Sequence, residues 1–202
     1  GKCRAGKRRV SIHLAWEWLC LLGRRFWRGQ GSSRLLIYSE TEKTLDDREK
    51  HMEALRRTGF WGRAAAGCLI MAQETGRILI PHRSEHCQQP NTWGTWGGAL
   101  DHGESPEEAV LRELSEEAGF DTPLETIPLY VFRHESGFQY HNYLITTARE
   151  FEPRINWETQ AFDWFEFGNW PEPAHFGLTA LLEDIESVET LAKMAAAANK
   201  PG

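Results

Sequence analysis

Residues 98–120 read GALDHGESPEEAVLRELSEEAGF, in which seven acids, Asp101, Glu104, Glu107, Glu108, Glu113, Glu116 and Glu117, stand with a single base, Arg112. Ser105, Pro106 and Glu108 have the form of a helix start: a capping hydroxyl, a proline where no N–H is needed, and a carboxylate that reaches back to the cap. Gly119 is suited to the left-handed conformation in which helices end. The helix predicted between them puts Glu113, Glu116 and Glu117 at i, i+3 and i+4, on one face. Three carboxylates placed so repel one another and raise each other's pKa unless a cation compensates. Hard divalent ions such as Mg²⁺ or Mn²⁺, which prefer oxygen ligands, compensate well. A charge run is usually a solvated helix face, but such a face interleaves lysines, and here Arg112 stands alone among the acids. The opposing stripe of Ala109, Leu111, Leu114 and Ala118 supplies a core face.

Working outward, 64–72 and 77–81 read as strands joined across Gln73-Glu74-Thr75-Gly76, a hairpin signal. A polar loop over 82–92 leads into Trp93-Gly94-Thr95-Trp96-Gly97-Gly98, whose glycines permit close backbone approach. Downstream, 124–135 and 139–147 read as strands around Ser136-Gly137, and 162–167 as another short one. After Pro171 and Pro173, a second amphipathic helix is predicted over about 175–187. The remaining tail extends that helix or frays.

With 202 residues, 41% hydrophobic and 26% charged, the chain fits one globular domain of roughly 100 to 200 residues rather than a disordered or collagen-like class. Its longest apolar stretch, 12–22, is broken by His13 and Glu17 and falls short of the roughly 18 to 20 residues of a membrane span. The net charge of −6 hides an asymmetry: residues 1–34 carry nine Lys/Arg against Glu17, or +8, which leaves −14 for 35–202. An acidic body argues against binding nucleic acid by phosphate neutralisation. Cys3, Cys20, Cys68 and Cys87 form no C-x-x-C pair, and a reduced, cytoplasmic setting is the simplest expectation. Residues 1–59 are expected to be a basic extension outside the core fold, 60–190 the domain and 191–202 a tail. For the stripe Ile12, Trp16, Leu19, Leu22 and Phe26, a transit-like segment, a membrane-surface or polyanion-binding helix, and an appended segment all stay open.

The segment resembles the Nudix box, G-x5-E-x7-R-E-U-x-E-E-x-G-U with U a bulky apolar residue, through Gly98, Glu104, Arg112, Glu113, Leu114, Glu116, Glu117, Gly119 and Phe120. Every defining position matches, although a Pro commonly precedes the two glycines where this chain has Trp96. The resemblance implies the family's α/β fold, a mixed β-sheet sandwiched between α-helices. It also implies a MutT-like pyrophosphatase, a hydrolase that cleaves the pyrophosphate of a nucleoside diphosphate linked to another moiety X. The alternative is a non-catalytic nucleotide-binding sensor or regulator on the same fold.

Carried over by position, Glu113, Glu116 and Glu117 would hold Mg²⁺ or Mn²⁺ with a backbone carbonyl from Gly97 or Gly98. Arg112 would pair with Glu104 and, with Gly119, keep the box in shape. Glu116, Glu117 and Glu158 are the candidate general bases. Arg83 resembles an Arg that reaches substrate phosphate, with a surface salt bridge as its ordinary alternative. Trp93, Trp96, Phe138, Tyr140 and Phe176 are candidates for stacking a base, most of them expected in the core. His175 reads more readily as a helix-start or core residue than as a catalytic one. The partner expected is a nucleotide-derived small molecule, with no nucleic acid except a capped or 5′-phosphorylated RNA end, no membrane span, and a homodimer left open.

Overall fold

A computed structural model describes residues 49, 50 and 52–198. Its central strand, β1 (Ala64–Ala72), is apolar on both faces, as a strand covered from both sides must be. Ala66, Cys68, Ile70 and Ala72 enter one core while Leu69 and Met71 enter the other. The remaining strands are β2 (Ile78–Arg83), β3 (Trp96–Ala99), β4 (Glu125–Arg133), β5 (Gln139–Thr147) and β6 (Thr159–Phe165). They make one mixed sheet in the order β4-β5-β1-β2-β6, with β3 also paired to β1. β5 runs parallel to β1 along its whole length, from Ala64↔Gln139 to Ala72↔Thr147. The opposite edge of β1 is divided: β2 takes its C-terminal end at Ile70 and Met71, and β3 takes Ala65 to Cys68.

Helix α1 (Pro106–Ala118) covers one face, burying Ala109, Val110, Leu114 and Ala118 against Cys68, Ile70, Leu79 and Trp96. Helices α2 (Phe176–Glu183) and α3 (Ile185–Ala198) cover the other with Leu178, Leu181, Leu191 and Ala195. This is the sandwich of a mixed sheet between helices that the box implied. Both ends of α1 are built as read: Ser105 and Glu108 form a reciprocal capping box, and Gly119 closes the helix in the left-handed conformation at φ 61°. Among the described residues no helix is long and apolar enough to cross a membrane.

Several boundaries differ from expectation. The strand expected at 162–167 runs Thr159–Phe165, because its ladder to β2 reaches Arg83↔Thr159 after a register shift at His82. For the same reason β2 continues past Pro81, which pairs with Phe162 and whose carbonyl accepts the Gly94 N–H at 3.0 Å. The single helix expected over 175–187 is two, broken at Asp184, whose extended backbone ends α2 and whose carboxylate accepts the Ser187 N–H to start α3. Of the two courses left open for the tail beyond 191, extending a helix or fraying, the chain is helical through Ala198 as part of α3, with Leu191 buried in the core. Residues 52–58, expected in the extension, are helical and bury Ala54. The basic stretch and its apolar stripe lie outside the described residues.

Two local devices hold the sheet to its neighbours. The β4–β5 ladder shifts register between Pro128 and Val131. There the Tyr130 N–H donates to Ser187 Oγ at 3.1 Å and the Tyr130 carbonyl accepts from Asn142 Nδ2 at 3.0 Å, so α3 and β5 together satisfy the bulge. The other device is the pair of glycines in β3. Gly97 has φ 140°, and a Cβ on it would lie 2.1 Å from the Ala66 carbonyl oxygen; one on Gly98 would lie 2.5 Å from Glu113 Oε1. Because the Ala66 obstacle is backbone, Gly97→Ala is expected to cost about 3 kcal/mol, from overpacking and a backbone conformation L-residues avoid. A urea unfolding midpoint equal to that of the wild type would contradict this.

Candidate active site

Helix α1 carries its acids towards β3 and the segment before β6. Arg112 organises the near end: Nε and Nη2 clasp the two Glu104 oxygens at 2.9 and 3.0 Å, and Nη2 also reaches the Ala99 carbonyl at 3.1 Å. The fork thus ties α1 to the loop before it and to the end of β3. Burial alone would raise the Glu104 carboxyl, but the Arg112 hydrogen bonds, the Asp101 N–H and the Arg112 charge together outweigh it and hold that group below the usual carboxylate range. The same bonds push the Arg112 guanidinium further up. Arg112 Nη1 turns the other way, to Glu113 Oε1 at 2.8 Å and Glu116 Oε2 at 3.5 Å.

Glu117 is 5% exposed, and its Oε2 accepts the Gly97 N–H at 2.8 Å. Its carboxyl is pushed well above the usual range by burial first, then by the charges of Glu113 and Glu158. Burial likewise pushes Glu113 up to about 7 against the opposing pull of Arg112. Glu158 is raised by burial too, while Arg83 pulls it down and Glu116 adds to the rise. Glu158, distant in sequence from the box, therefore joins the same cluster of charge. Sequence reasoning did not identify what holds it there: its carbonyl accepts the Ser84 N–H at 2.8 Å and the Cys87 thiol at 3.4 Å. A Ser and a Cys in a polar loop give no pattern by which they could have been found.

Arg83 ends β2 beside Glu158, its Nε held by the Gln88 carbonyl at 2.9 Å. It acts on Glu117, Glu158, Tyr140 and His175, so its charge faces the carboxylates across the site. His175 caps α2, with Nδ1 accepting the Gly177 N–H at 3.2 Å, and burial together with Arg83 pushes its pKa down to about 3. That is the helix-start residue expected of it.

Two expectations are corrected. Trp96 is 0% exposed, packed under α1 with its ring N–H donating to the Leu79 carbonyl at 3.2 Å, and offers no face to a ligand. Tyr140 is also buried, its hydroxyl bonded to Thr95 Oγ1 at 2.5 Å and filling the space that Gly67 leaves open. Both fail as stacking surfaces because alternate residues of a strand with two covered faces point into core on either side.

The donor set suits a hard divalent cation. Three carboxylates lie on one helix face, and burial with neighbouring carboxylates raises two of them, a crowding that a bound divalent cation would relieve. Among the described residues no three such groups already converge as a cation cage, because Glu113 is turned to Arg112 and Glu117 to the Gly97 N–H. Gly98 lies against the Glu113 carboxylate, close enough that any side chain there would displace it.

The NUDIX domain model matches residues 61–184. A Mycobacterium tuberculosis protein named as a candidate 8-oxo-dGTP diphosphatase is 47% identical over 64 residues, which is 30% of this chain and 30% of that protein. The chain thus matches less than a third of that relative's length. Among solved structures, RenU, a Nudix hydrolase from M. smegmatis, is 27% identical with a TM-score of 0.55, over 71% of this chain and 92% of that one. A MutT NUDIX hydrolase from Burkholderia pseudomallei is 28% identical with a TM-score of 0.50, over 61% of this chain and 97% of that one.

Proposed function

The chain belongs to the NUDIX domain family, and from that membership we propose that it is a metal-dependent pyrophosphohydrolase acting on a nucleoside diphosphate linked to a further group. The observation that carries this is the meeting of the box carboxylates with Glu158 and Arg83, groups from three separate stretches of sequence, around one crowded patch of carboxylates. The hydrolase domain is residues 60–190 together with the rest of α3.

Glu113, Glu116 and Glu117, with a carbonyl from Gly97 or Gly98, hold Mg²⁺ or Mn²⁺. Bound there, the cation supplies the positive charge against which the pyrophosphate and the developing leaving group are neutralised. Arg83 takes phosphate oxygens from the opposite side as a charged hydrogen-bond donor. Glu158, raised by burial towards the working range of a general base, accepts the proton of the attacking water; Glu116 and Glu117 are the other candidates. Arg112 and Glu104 position the helix and touch no reacting atom.

The test is phosphate release with Mg²⁺ or Mn²⁺ from nucleoside triphosphates (8-oxo-dGTP included), ADP-ribose, sugar nucleotides, dinucleoside polyphosphates and capped RNA. Turnover of one class supports the proposal and names X. Tight nucleotide binding with no turnover across the panel overturns it in favour of a sensor.

Metal affinity should depend on pH with a defined sign. Glu113 is raised to about 7, so below that value the apo site holds a proton that a cation must displace. Mn²⁺ binding followed by calorimetry is expected to weaken about tenfold from pH 8 to pH 6. Equal affinity at both values would remove Glu113 from the ligand set.

A further inference from the structure

The segment before β6 is tied at both ends. At its start the Arg154 N–H donates to the Ala118 carbonyl at 2.8 Å, one residue past Glu117, and the Arg154 side chain lies against Gly119. At its end Glu158 is held by Ser84, next to Arg83, and Thr159 pairs with Arg83 in the sheet. The segment thus spans from the ligand helix to the phosphate-binding arginine. Between its anchors the Thr159 N–H donates to the Asn156 carbonyl at 3.4 Å and the Glu158 N–H to Asn156 Oδ1 at 2.8 Å, a turn that carries Trp157 beside Glu158.

Glu158 is half-buried among the carboxylates, whereas Trp157 is 64% exposed. A lone exposed aromatic carries no message by itself; this one is the only Trp, Tyr or Phe in the exposed class among the described residues, and it sits at the rim of the site. Of the five aromatics considered for stacking, Trp96, Phe138 and Tyr140 are buried, and Trp93 and Phe176 are half-buried, packed against the core clusters.

We propose that Trp157 is the stacking platform for the nucleobase of the substrate, fixing the base at the rim while the phosphates lie between Arg83 and α1. The inference rests on the function proposed above. An indole face suits this task because every base presents a π face, so stacking grips a nucleoside with little preference for its identity. Identity would then be set by groups other than Trp157.

The experiment uses the full chain with Mg²⁺ and compares wild type with W157A and W157F in three readouts. These are KM and kcat on the best nucleoside triphosphate of the panel, the inhibition constant of inorganic pyrophosphate, and direct dGMP binding by calorimetry. W157A is expected to raise KM and weaken dGMP binding about tenfold, the scale of one base–aromatic stack, with kcat and pyrophosphate inhibition within about twofold of wild type. W157F should recover most of the loss. Unchanged KM and dGMP binding in W157A overturn the inference, as does a pyrophosphate constant that rises in step, which would mean a displaced turn. Unchanged dGMP binding with an altered molar mass by light scattering also overturns it, in favour of a contact between protein chains. If wild type turns over nothing in the panel, the proposed function fails, and dGMP binding still decides the role of Trp157.

Discussion

Glu117→Gln is expected to lower metal-dependent turnover by about a thousandfold, the scale of several kcal/mol of lost charge stabilisation, while the chain stays folded. The replacement is nearly isosteric, and a Gln oxygen can still accept the Gly97 N–H that Glu117 accepts at 2.8 Å. What disappears is a negative charge at a site only 5% exposed. Its effect on stability has a definite sign. The folded carboxyl is raised above its unfolded value, so below the unfolded pKa the two states hold the same proton. As pH rises through it the unfolded chain ionises first, and the folded state loses stability. Removing the carboxyl removes that penalty, so at pH 7 without metal the variant should melt no lower than wild type. With Mn²⁺ the order reverses, since wild type gains about 2.7 kcal/mol at a hundredfold excess over Kd and the variant gains far less. Wild-type turnover in the variant, or an equal Mn²⁺-induced rise in Tm, would take Glu117 out of the metal site.

Arg112→Ala is expected to cost both stability and activity. This guanidinium donates four hydrogen bonds: two to Glu104, one to the Ala99 carbonyl and one to Glu113. Glu104 and Glu113 have side chains only 14% exposed, so truncation leaves two poorly hydrated carboxylates without their cation. Fully buried pairs broken in this way lose about 3–5 kcal/mol; Arg112 is 28% exposed, which reduces the cost to about 2–3 kcal/mol and the fall in Tm to about 5–10 °C. Turnover should fall as well, because α1 is no longer tied to β3. Arg112→Lys keeps the charge but not the planar fork, and is expected to recover less than half of the lost stability. If Arg112→Ala melts within about 2 °C of wild type, the fork contributes no more than a surface ion pair does.

How much of this could be read in advance depends on whether the information was local. Ser105, Pro106, Glu108 and Gly119 specify both ends of α1 by interactions within a few residues, and the helix is where they place it. The apolar run of β1 and the turn at Gly76 likewise located the central hairpin. The misreadings involve partners far along the chain. β6 begins at Thr159 because β2 reaches Arg83, which nothing in the sequence around Phe162 announces. Asp184 breaks a helix whose apolar period runs through it, because its carboxylate caps the next turn. In the site, the spacing of Glu113, Glu116 and Glu117 is a property of one helix and was legible; the approach of Glu158 needs the whole sheet. Trp96 and Tyr140 were candidates for their chemistry alone, and burial assigned them to the core.

The closure of α1 at both ends also limits how its sequence can vary in length. The capping box fixes where the helix begins, and Gly119, with the Arg154 N–H on the Ala118 carbonyl, fixes where it ends. One residue inserted between Ser105 and Glu113 would turn every later side chain by about 100° and advance it by about 1.5 Å. Glu117 would swing away from Gly97 and Leu114 out of the core, and neither terminus has slack to absorb the twist. Point substitutions can drift within this segment, but insertions and deletions cannot, so its thirteen helical residues behave as a ruler whose graduations are the carboxylates.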